Sequence, residues 1–357
     1  MIPDLYLADL EAKPAALAAL ADALAAGDPF SAIPVPVRRV LLLGMGSSRY
    51  AARVAALRMR AAGVDAVAEY ASAASSYPPG PGTLVVAISA TGGSRETLDA
   101  VARHRGRSFV LALTNAPDSP VTEGADLVVP MLAGEERGGV SCRTFQHTLA
   151  LLLALTARLT AHPTAQAGLT PDASTARNGL TAQSDLTPDD PTARSGLATP
   201  GRDVPGLLLR TAEATTDLLD RRAEWLEGAA ALLDGPHGVY TIAPAERLSS
   251  AEQSALMVRE GPRRPADACE TGDWAHVDVY LTKTLDYRAI LFPGSRYDEQ
   301  AMDWIRQRGS TVLTVGGDLP GGAASVRYRH DDDPEVALLT ETLVAELVAA
   351  RWWLTPN

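Results

Sequence analysis

Lysine is nearly absent from this chain of 357 residues: only Lys13 and Lys283 occur, so arginine supplies almost all of the 32 basic residues. Amine nucleophiles are confined to two positions, which leaves little room for covalent imine catalysis by a lysine. Cysteine is equally scarce. Cys142 and Cys269 can form one bridge at most and cannot build a multi-cysteine metal site, so a reducing compartment, the cytoplasm, is expected. Aromatic residues make up 5% of the chain, too few for a base-stacking nucleic-acid surface. Met1-Ile2-Pro3-Asp4 lacks a basic segment followed by an apolar run, so no secretory leader is expected. The longest apolar stretch, Leu149 to Leu155, is too short to span a bilayer, and no membrane partner is expected.

What is present points to a folded, acidic protein. Hydrophobic residues at 46% and charged residues at 21% are close to the averages for globular chains. The net charge of −11 repels polyphosphates at long range and provides no basic tract for a duplex, which excludes nucleic acid as an expected partner. No carboxylates or histidines cluster at metal-ligand spacing, so neither a metal nor another cofactor is expected. At roughly 100 to 200 residues per domain, the length suggests two domains.

Leucines at 5, 7, 10, 17, 20 and 24 among alanines predict one or two short helices interrupted at Pro14, a helical lead-in over 1–35. Residues 36–161 then alternate buried apolar runs with amphipathic stretches. Strands are expected at Val40–Leu43, Val64–Glu69, Thr83–Ser89, Phe109–Thr114 and Leu127–Met131, with helices at about Ser48–Ala62, Ser94–His104 and Cys142–Leu159. That alternation is what a five-stranded, doubly wound parallel sheet covered on both faces requires. Between 162 and 203 the near-copies Thr-Ala-Arg-Asn-Gly-Leu, Thr-Ala-Gln-Ser-Asp-Leu and Thr-Ala-Arg-Ser-Gly-Leu form a low-complexity linker, expected to be disordered. A second α/β unit over 204–357 is expected to hold a long helix at Leu207–Leu233, strands at Val239–Ala243, Ala289–Phe292 and Thr311–Val315, and a closing helix at Ala337–Trp353. The fold class is α/β, two doubly wound parallel sheets of flavodoxin-like order in tandem.

The first strand runs into Gly44-Met45-Gly46-Ser47-Ser48-Arg49-Tyr50. A glycine turn between a strand and a helix N-terminus presents backbone N–H groups and the positive end of the helix dipole to an anion. A dinucleotide fingerprint is one reading, with Glu69 on the ribose, but Arg49 stands where the third glycine belongs. A second turn, Ser89-Ala90-Thr91-Gly92-Gly93-Ser94, follows the third strand. Two hydroxyl-and-glycine loops at the carboxyl ends of strands one and three flank the topological switch point, and a single small phosphate fits them better than a dinucleotide.

These two loops resemble the phosphate-binding loops of the sugar isomerase (SIS) domain family, and the tandem arrangement is similar to the isomerase part of glucosamine-6-phosphate synthase. The opening Glu11-Ala12-Lys13-Pro14 is similar to the family's Glu-Gln-Pro lead-in. In the second loop Gly93 replaces the family's glutamate, while Thr91 and Ser94 keep its hydroxyls. The resemblance implies that Ser47, Ser48, Ser89, Thr91 and Ser94 bind a substrate phosphate and that Gly46 borders the sugar. Glu135 to Phe145 looks like the family segment Glu-x-Gly-Val-Ala-Ser-Thr-Lys-x-Phe, which puts Ser141 on the sugar and Arg143 at its lysine. As a plain structural element, Ser141 would be a helix N-cap.

In the second unit, Ala251 to Glu260 resembles the family helix that ends in its catalytic glutamate, and His276 follows sixteen residues after Glu260, the family's own spacing. The chemistry needs both types. Moving a proton at C2 beside a C1 carbonyl takes a carboxylate base, and opening a pyranose or expelling a hydroxyl takes a group titrating near neutrality. The resemblance also implies a homodimer in which His276 reaches the neighbouring subunit's site. The family's glutaminase domain and C-terminal tail lysine have no counterpart in this chain, so ammonia transfer from glutamine is not expected. The turn Ala243-Pro244-Ala245 is degenerate as a phosphate loop, and one phosphosugar site per chain is expected. Three functions remain open: isomerisation or deamination of an amino-sugar 6-phosphate, elimination of the C3 group from an N-acetylated one, and non-catalytic sugar-phosphate binding.

Overall fold

The computed structural model describes residues 1–161 and 203–355. The expected linker therefore lies outside the described residues, apart from Asp203. Two N-terminal helices, α1 (Pro3–Glu11) and α2 (Lys13–Ala26), break at Ala12, and Pro14 sits in the first turn of α2, where its missing N–H costs nothing.

The first unit follows as β1 (Arg39–Gly44), α3 (Gly46–Ala61), β2 (Ala66–Tyr70), β3 (Thr83–Ile88), α4 (Arg95–His104), β4 (Phe109–Thr114), β5 (Leu127–Pro130) and α5 (Arg143–Ala161). Its five strands are parallel in the order β2-β1-β3-β4-β5. Leu42 pairs with Val86 and Val86 with Leu111, so β1, β3 and β4 stack aliphatic side chains across the sheet centre. These three strands are buried from their second residue onward, the near-continuous apolar reading of a parallel sheet covered on both faces.

The second unit comprises α6 (Val204–Asp220), α7 (Arg222–Leu233), β6 (Val239–Ala243), α8 (Leu248–Glu260), β7 (Ala266–Glu270), α9 (Thr271–Trp274), β8 (Arg288–Leu291), α10 (Asp298–Arg308), β9 (Thr311–Val315), β10 (Ala324–Val326), α11 (Pro334–Thr340) and α12 (Thr342–Leu354). Its order, β10-β9-β8-β6-β7, repeats that of the first unit strand for strand. Two of its strands, β7 and β10, have no counterpart in the expected list. The expected single helix over Leu207–Leu233 is two, parted at Arg221, and the expected closing helix is also two, parted at Glu341.

One hydrophobic core runs through both units, from Leu42 and Val86 of the first sheet to Ile290 and Leu313 of the second. Between them α5 is buried almost all round, as a helix enclosed by other elements must be. The lead-in helices belong to this core: α2 packs along α6, and α1 along α12. Lys13 of α2 and Glu346 of α12 form an ion pair fully removed from solvent. A second buried pair, Arg58 with Glu335 at 3.3 Å, ties α3 to α11. The glutamines Gln146 and Gln253 add two cross-unit bonds, to the carbonyl oxygens of Leu339 (2.7 Å) and Ser141 (2.8 Å).

Candidate functional site

The two hydroxyl loops lie side by side because β1 and β3 are adjacent and in register, Leu43 opposite Ala87. Gly44 closes β1 against the helix it feeds: a Cβ there would stand 2.9 Å from the Ser48 Cβ and 3.0 Å from the Arg49 amide nitrogen. Ser47 and Ser48 occupy the first turn of α3, partly exposed, and Gly46 is exposed with φ of +51°. At the end of β3, Ser89 is buried and its N–H donates to the Leu113 carbonyl at 3.1 Å. Gly92 turns the chain at φ +65°, and a side chain there would overlap the Ser119 hydroxyl. Thr91 faces solvent. Ser94 donates from its hydroxyl to Glu96 Oε2 at 2.9 Å, and the Glu96 backbone N–H and this hydroxyl together hold that carboxyl below its ordinary range.

A cleft of about 990 Å³ opens over the carboxyl ends of β3, β4 and β5. Of the expected site residues it is lined by Thr91 and Ser141. The loop carrying Ser141 is organised by Glu136, whose Oε1 accepts from the backbone N–H of Cys142 and Arg143, both at 2.6 Å, while its Oε2 accepts from the Thr144 hydroxyl at 2.6 Å. Glu136, rather than Ser141, therefore caps α5. The negative charge at this helix N-terminus is intramolecular. Asp9 of α1 braces the same loop, accepting from the Gly138 N–H at 2.7 Å and from Arg143 at 2.8 Å.

Glu260 is the last residue of α8 and is partly buried. Burial pushes its carboxyl above the ordinary range, with Arg259 pulling the other way. Directly after it, Gly261 lies under Trp353, where a Cβ would be 3.2 Å from the indole, and the Trp353 and Tyr6 rings stand 5.8 Å apart. His276 is exposed beyond α9, and its backbone N–H donates to the Asp273 carbonyl at 2.8 Å. Among the described residues, no hydrogen bond or ion pair joins Glu260 to His276 within one chain. One chain thus brings the two hydroxyl loops and Ser141 to one edge, with Glu260 on the helix that Gln253 fastens to the Ser141 carbonyl.

Sequence reasoning missed Gln253, Glu136 and Asp9. Gln253 and Asp9 act through backbone partners more than 100 residues away, so residue type and spacing carry no mark of them, and Glu136 takes the capping role that the sequence assigns to Ser141.

The loops that follow β6 and β8 in the second sheet find their partners within the chain. The Asp298 carboxylate accepts from the N–H groups of Gly294 (2.6 Å) and Ser295 (3.0 Å), and Arg247 is paired with the buried Glu341 at 3.2 Å. No group of at least three His, Cys, Asp or Glu side chains is placed to hold a metal ion among the described residues. Nor is any described helix long and apolar enough to cross a membrane.

Comparison with known proteins agrees with this fold. Residues 35–158 match the SIS domain family. The glutamine–fructose-6-phosphate aminotransferase of Aeropyrum pernix is 28% identical over 249 residues, 69% of this chain and 36% of the relative. The chain thus spans little more than a third of that curated relative's length. A similar match, 28% over 116 residues, covers 32% of this chain and 20% of the Sulfurisphaera tokodaii aminotransferase of the same name. The C-terminal domain of the Francisella tularensis glucosamine-fructose-6-phosphate aminotransferase superposes with a TM-score of 0.74 at 16% identity, over 97% of this chain and 95% of that one. Tagatose-6-phosphate ketose/aldose isomerase from Escherichia coli gives 0.69 at 15% identity, over 97% and 92% of the two chains. Glucosamine-6-phosphate deaminase from Thermotoga maritima gives 0.62 at 16% identity, over 98% and 95%. Residues 35–158 thus match the SIS domain family, in a chain similar over 69% of its length to a glutamine–fructose-6-phosphate aminotransferase.

Proposed function

We propose that the protein is a phosphosugar isomerase or deaminase acting on an amino-sugar 6-phosphate of the glucosamine 6-phosphate type. The observation that carries this reading is the pair of hydroxyl-and-glycine loops at the switch point of the first sheet, opening beside a large cleft. The names of the similar proteins, an aminotransferase that isomerises fructose 6-phosphate, a glucosamine-6-phosphate deaminase and a ketose/aldose isomerase, support it.

In this reading Ser47, Ser48, Ser89, Thr91 and Ser94 bind the phosphate, with the first turn of α3 adding its amides and dipole. Gly46 leaves space for the backbone to approach, and Ser141 contacts the sugar. Glu260 takes the C2 proton while the C1 carbonyl accepts the electron pair, and the resulting enol is reprotonated at C1. With a free amine, C2 thereby becomes an imine carbon, and water adds there and displaces ammonia to leave a ketose. A half-buried carboxylate with a raised pKa is a stronger base than an exposed one and suits this step. His276 opens the ring as acid and base, reaching the site from the neighbouring subunit of a homodimer, a role that its exposure permits.

Elimination is the second reading. An acylated nitrogen cannot become the imine, so the same C2 carbanion expels the C3 substituent instead. The breadth of the cleft beyond Thr91 and Ser141 favours this arm.

Proton NMR in deuterated buffer tests the proposal with glucosamine 6-phosphate and N-acetylglucosamine 6-phosphate. Loss of the C2 proton signal with ketose or ammonia supports isomerisation or deamination, and a vinylic proton supports elimination. Unchanged spectra alongside phosphate-dependent binding would replace an enzyme with a sugar-phosphate binding protein.

A further inference from the structure

The cleft is larger than its hydroxyl loops require. A volume of about 990 Å³ lies at the upper end of small-molecule sites, roughly 300 to 1,000 Å³, although a hexose phosphate is a small ligand. The space extends from Thr91 and Ser141 over the ends of β4 and β5, where its walls are Ala116, Pro117, Pro130 and Leu132. A second cavity of about 320 Å³ shares Pro130 and Leu132 and is lined beyond them mainly by aliphatic side chains of α2, β5 and α5. Among the described residues no arginine, lysine or histidine lines either cavity, and the charged side chains on the walls are Glu135 and Glu136 in the cleft and Asp28 in the second cavity.

Leu132 stands between the two cavities in an unusual state. It is 46% exposed and has a φ of +57°, a left-handed conformation that a bulky L-residue rarely adopts. The surroundings hold it there: the Asn115 side chain donates to the Gly134 carbonyl at 2.7 Å and accepts from the Ala133 N–H at 3.0 Å. The Met131 N–H donates to the Thr114 carbonyl at 2.8 Å, and the His147 ring binds the Met131 carbonyl at 2.8 Å. Such strain persists only where neighbouring contacts over-determine it, and it concentrates at ligand sites.

We infer that the substrate is a phosphosugar carrying an apolar acyl substituent on its nitrogen, longer than acetyl, which lies against Leu132. Continuity with Thr91 and Ser141 ties the apolar compartment to the sugar, and walls that carry carboxylates and no cation among the described residues argue against a substituent ending in a carboxylate or a second phosphate. The inference rests on the phosphosugar reading above and on its elimination arm, since an acylated nitrogen cannot become the imine that deamination needs.

The test is isothermal titration of glucosamine 6-phosphate and its N-acetyl, N-butanoyl and N-hexanoyl derivatives, against the wild type and Leu132→Asn. Asparagine accepts the left-handed backbone more readily than leucine, so the variant keeps the loop while removing the apolar contact. In the wild type, affinity rises with chain length, by up to roughly fourfold for each buried methylene. In Leu132→Asn the hexanoyl-to-acetyl affinity ratio collapses toward one. Affinity that is flat or falls with chain length, or a ratio that survives the substitution, overturns the inference while leaving the phosphosugar reading in place. Failure of every sugar phosphate to bind overturns both. If Leu132→Asn instead shifts the sedimentation of the protein to a smaller species with the ratio unchanged, the face is a contact between copies of the chain and the inference falls.

Discussion

The Gln253 side chain donates from Nε2 to the Ser141 carbonyl oxygen at 2.8 Å, across 112 residues of sequence and from one α/β unit to the other. Gln253 is buried two turns before Glu260 on α8, so this bond sets the helix that ends in the carboxylate against the loop that borders the cleft. Gln253→Leu leaves that carbonyl unpaired at a cost of about 1 to 3 kcal/mol. The expected kinetic result is a KM raised about tenfold, with Gln253→Glu restoring little, because an ionised carboxylate cannot donate. Steady-state kinetics beside a urea melt separates the two effects.

Glu260 has to be ionised to accept a proton, and burial raises its pKa. The acid limb of kcat/KM therefore falls at a higher pH than an ordinary glutamate, near 4.3, would give. Trp353→Ala admits water beside Gly261 and moves that limb to lower pH. Glu260→Gln is expected to abolish turnover while leaving phosphate-dependent binding. Turnover surviving that substitution would remove Glu260 from the mechanism.

Glu341 is fully buried where α11 meets α12, and burial lifts its carboxyl to about 7 against the pull of Arg247. A carboxyl whose folded pKa lies above its unfolded value adds stability at low pH. That contribution is present below about 4.5 and is lost as pH rises through about 7. Thermal melts of the wild type should lose Tm across this window more steeply than melts of Glu341→Gln. Parallel curves would rule out Glu341 as the titrating group.

The ion pair of Lys13 and Glu346 is completely buried. Removing one partner strands the other charge: Lys13→Met should cost about 3 to 5 kcal/mol, and Lys13→Met with Glu346→Leu should recover most of it. Guanidinium melts of the two single variants and the double variant measure the coupling, and simple additivity would contradict it.

Gly92→Ala forces a side chain onto the Ser119 hydroxyl at a positive φ. The second hydroxyl loop should distort, with a stability loss of at least about 2 kcal/mol and weaker phosphate binding. Melting curves and phosphate titration read the two losses separately.

The first unit was legible because its central strands are apolar runs ending in glycine turns, and both signals are local. The strands β7, Ala-Asp-Ala-Cys-Glu, and β10, Ala-Ser-Val, escaped because they are short edge strands with little aliphatic content. The breaks at Arg221 and Glu341 involve neither proline nor glycine, so nothing in the sequence marks them. At the site, the hydroxyl loops announce themselves by composition. Gln253 and Asp9 do not, since each is defined by a partner that only the fold brings near, and Glu136 does not because it caps α5 from six residues upstream, beyond the usual N-cap position. The strained backbone of Leu132 was likewise invisible, because leucine is the last residue its conformation would suggest.

Lys13 and Glu346 are 333 positions apart, so the lead-in helices and α12 are buried against each other. A ribosome delivers them in order, and α1 and α2 emerge long before α12 exists to cover them. Until α12 has been made, the leucines of the lead-in and a bare ammonium group wait without their partners. Folding of these two units should therefore finish only after α12 has emerged, and a truncation that removes α12 should aggregate instead of yielding a smaller working unit.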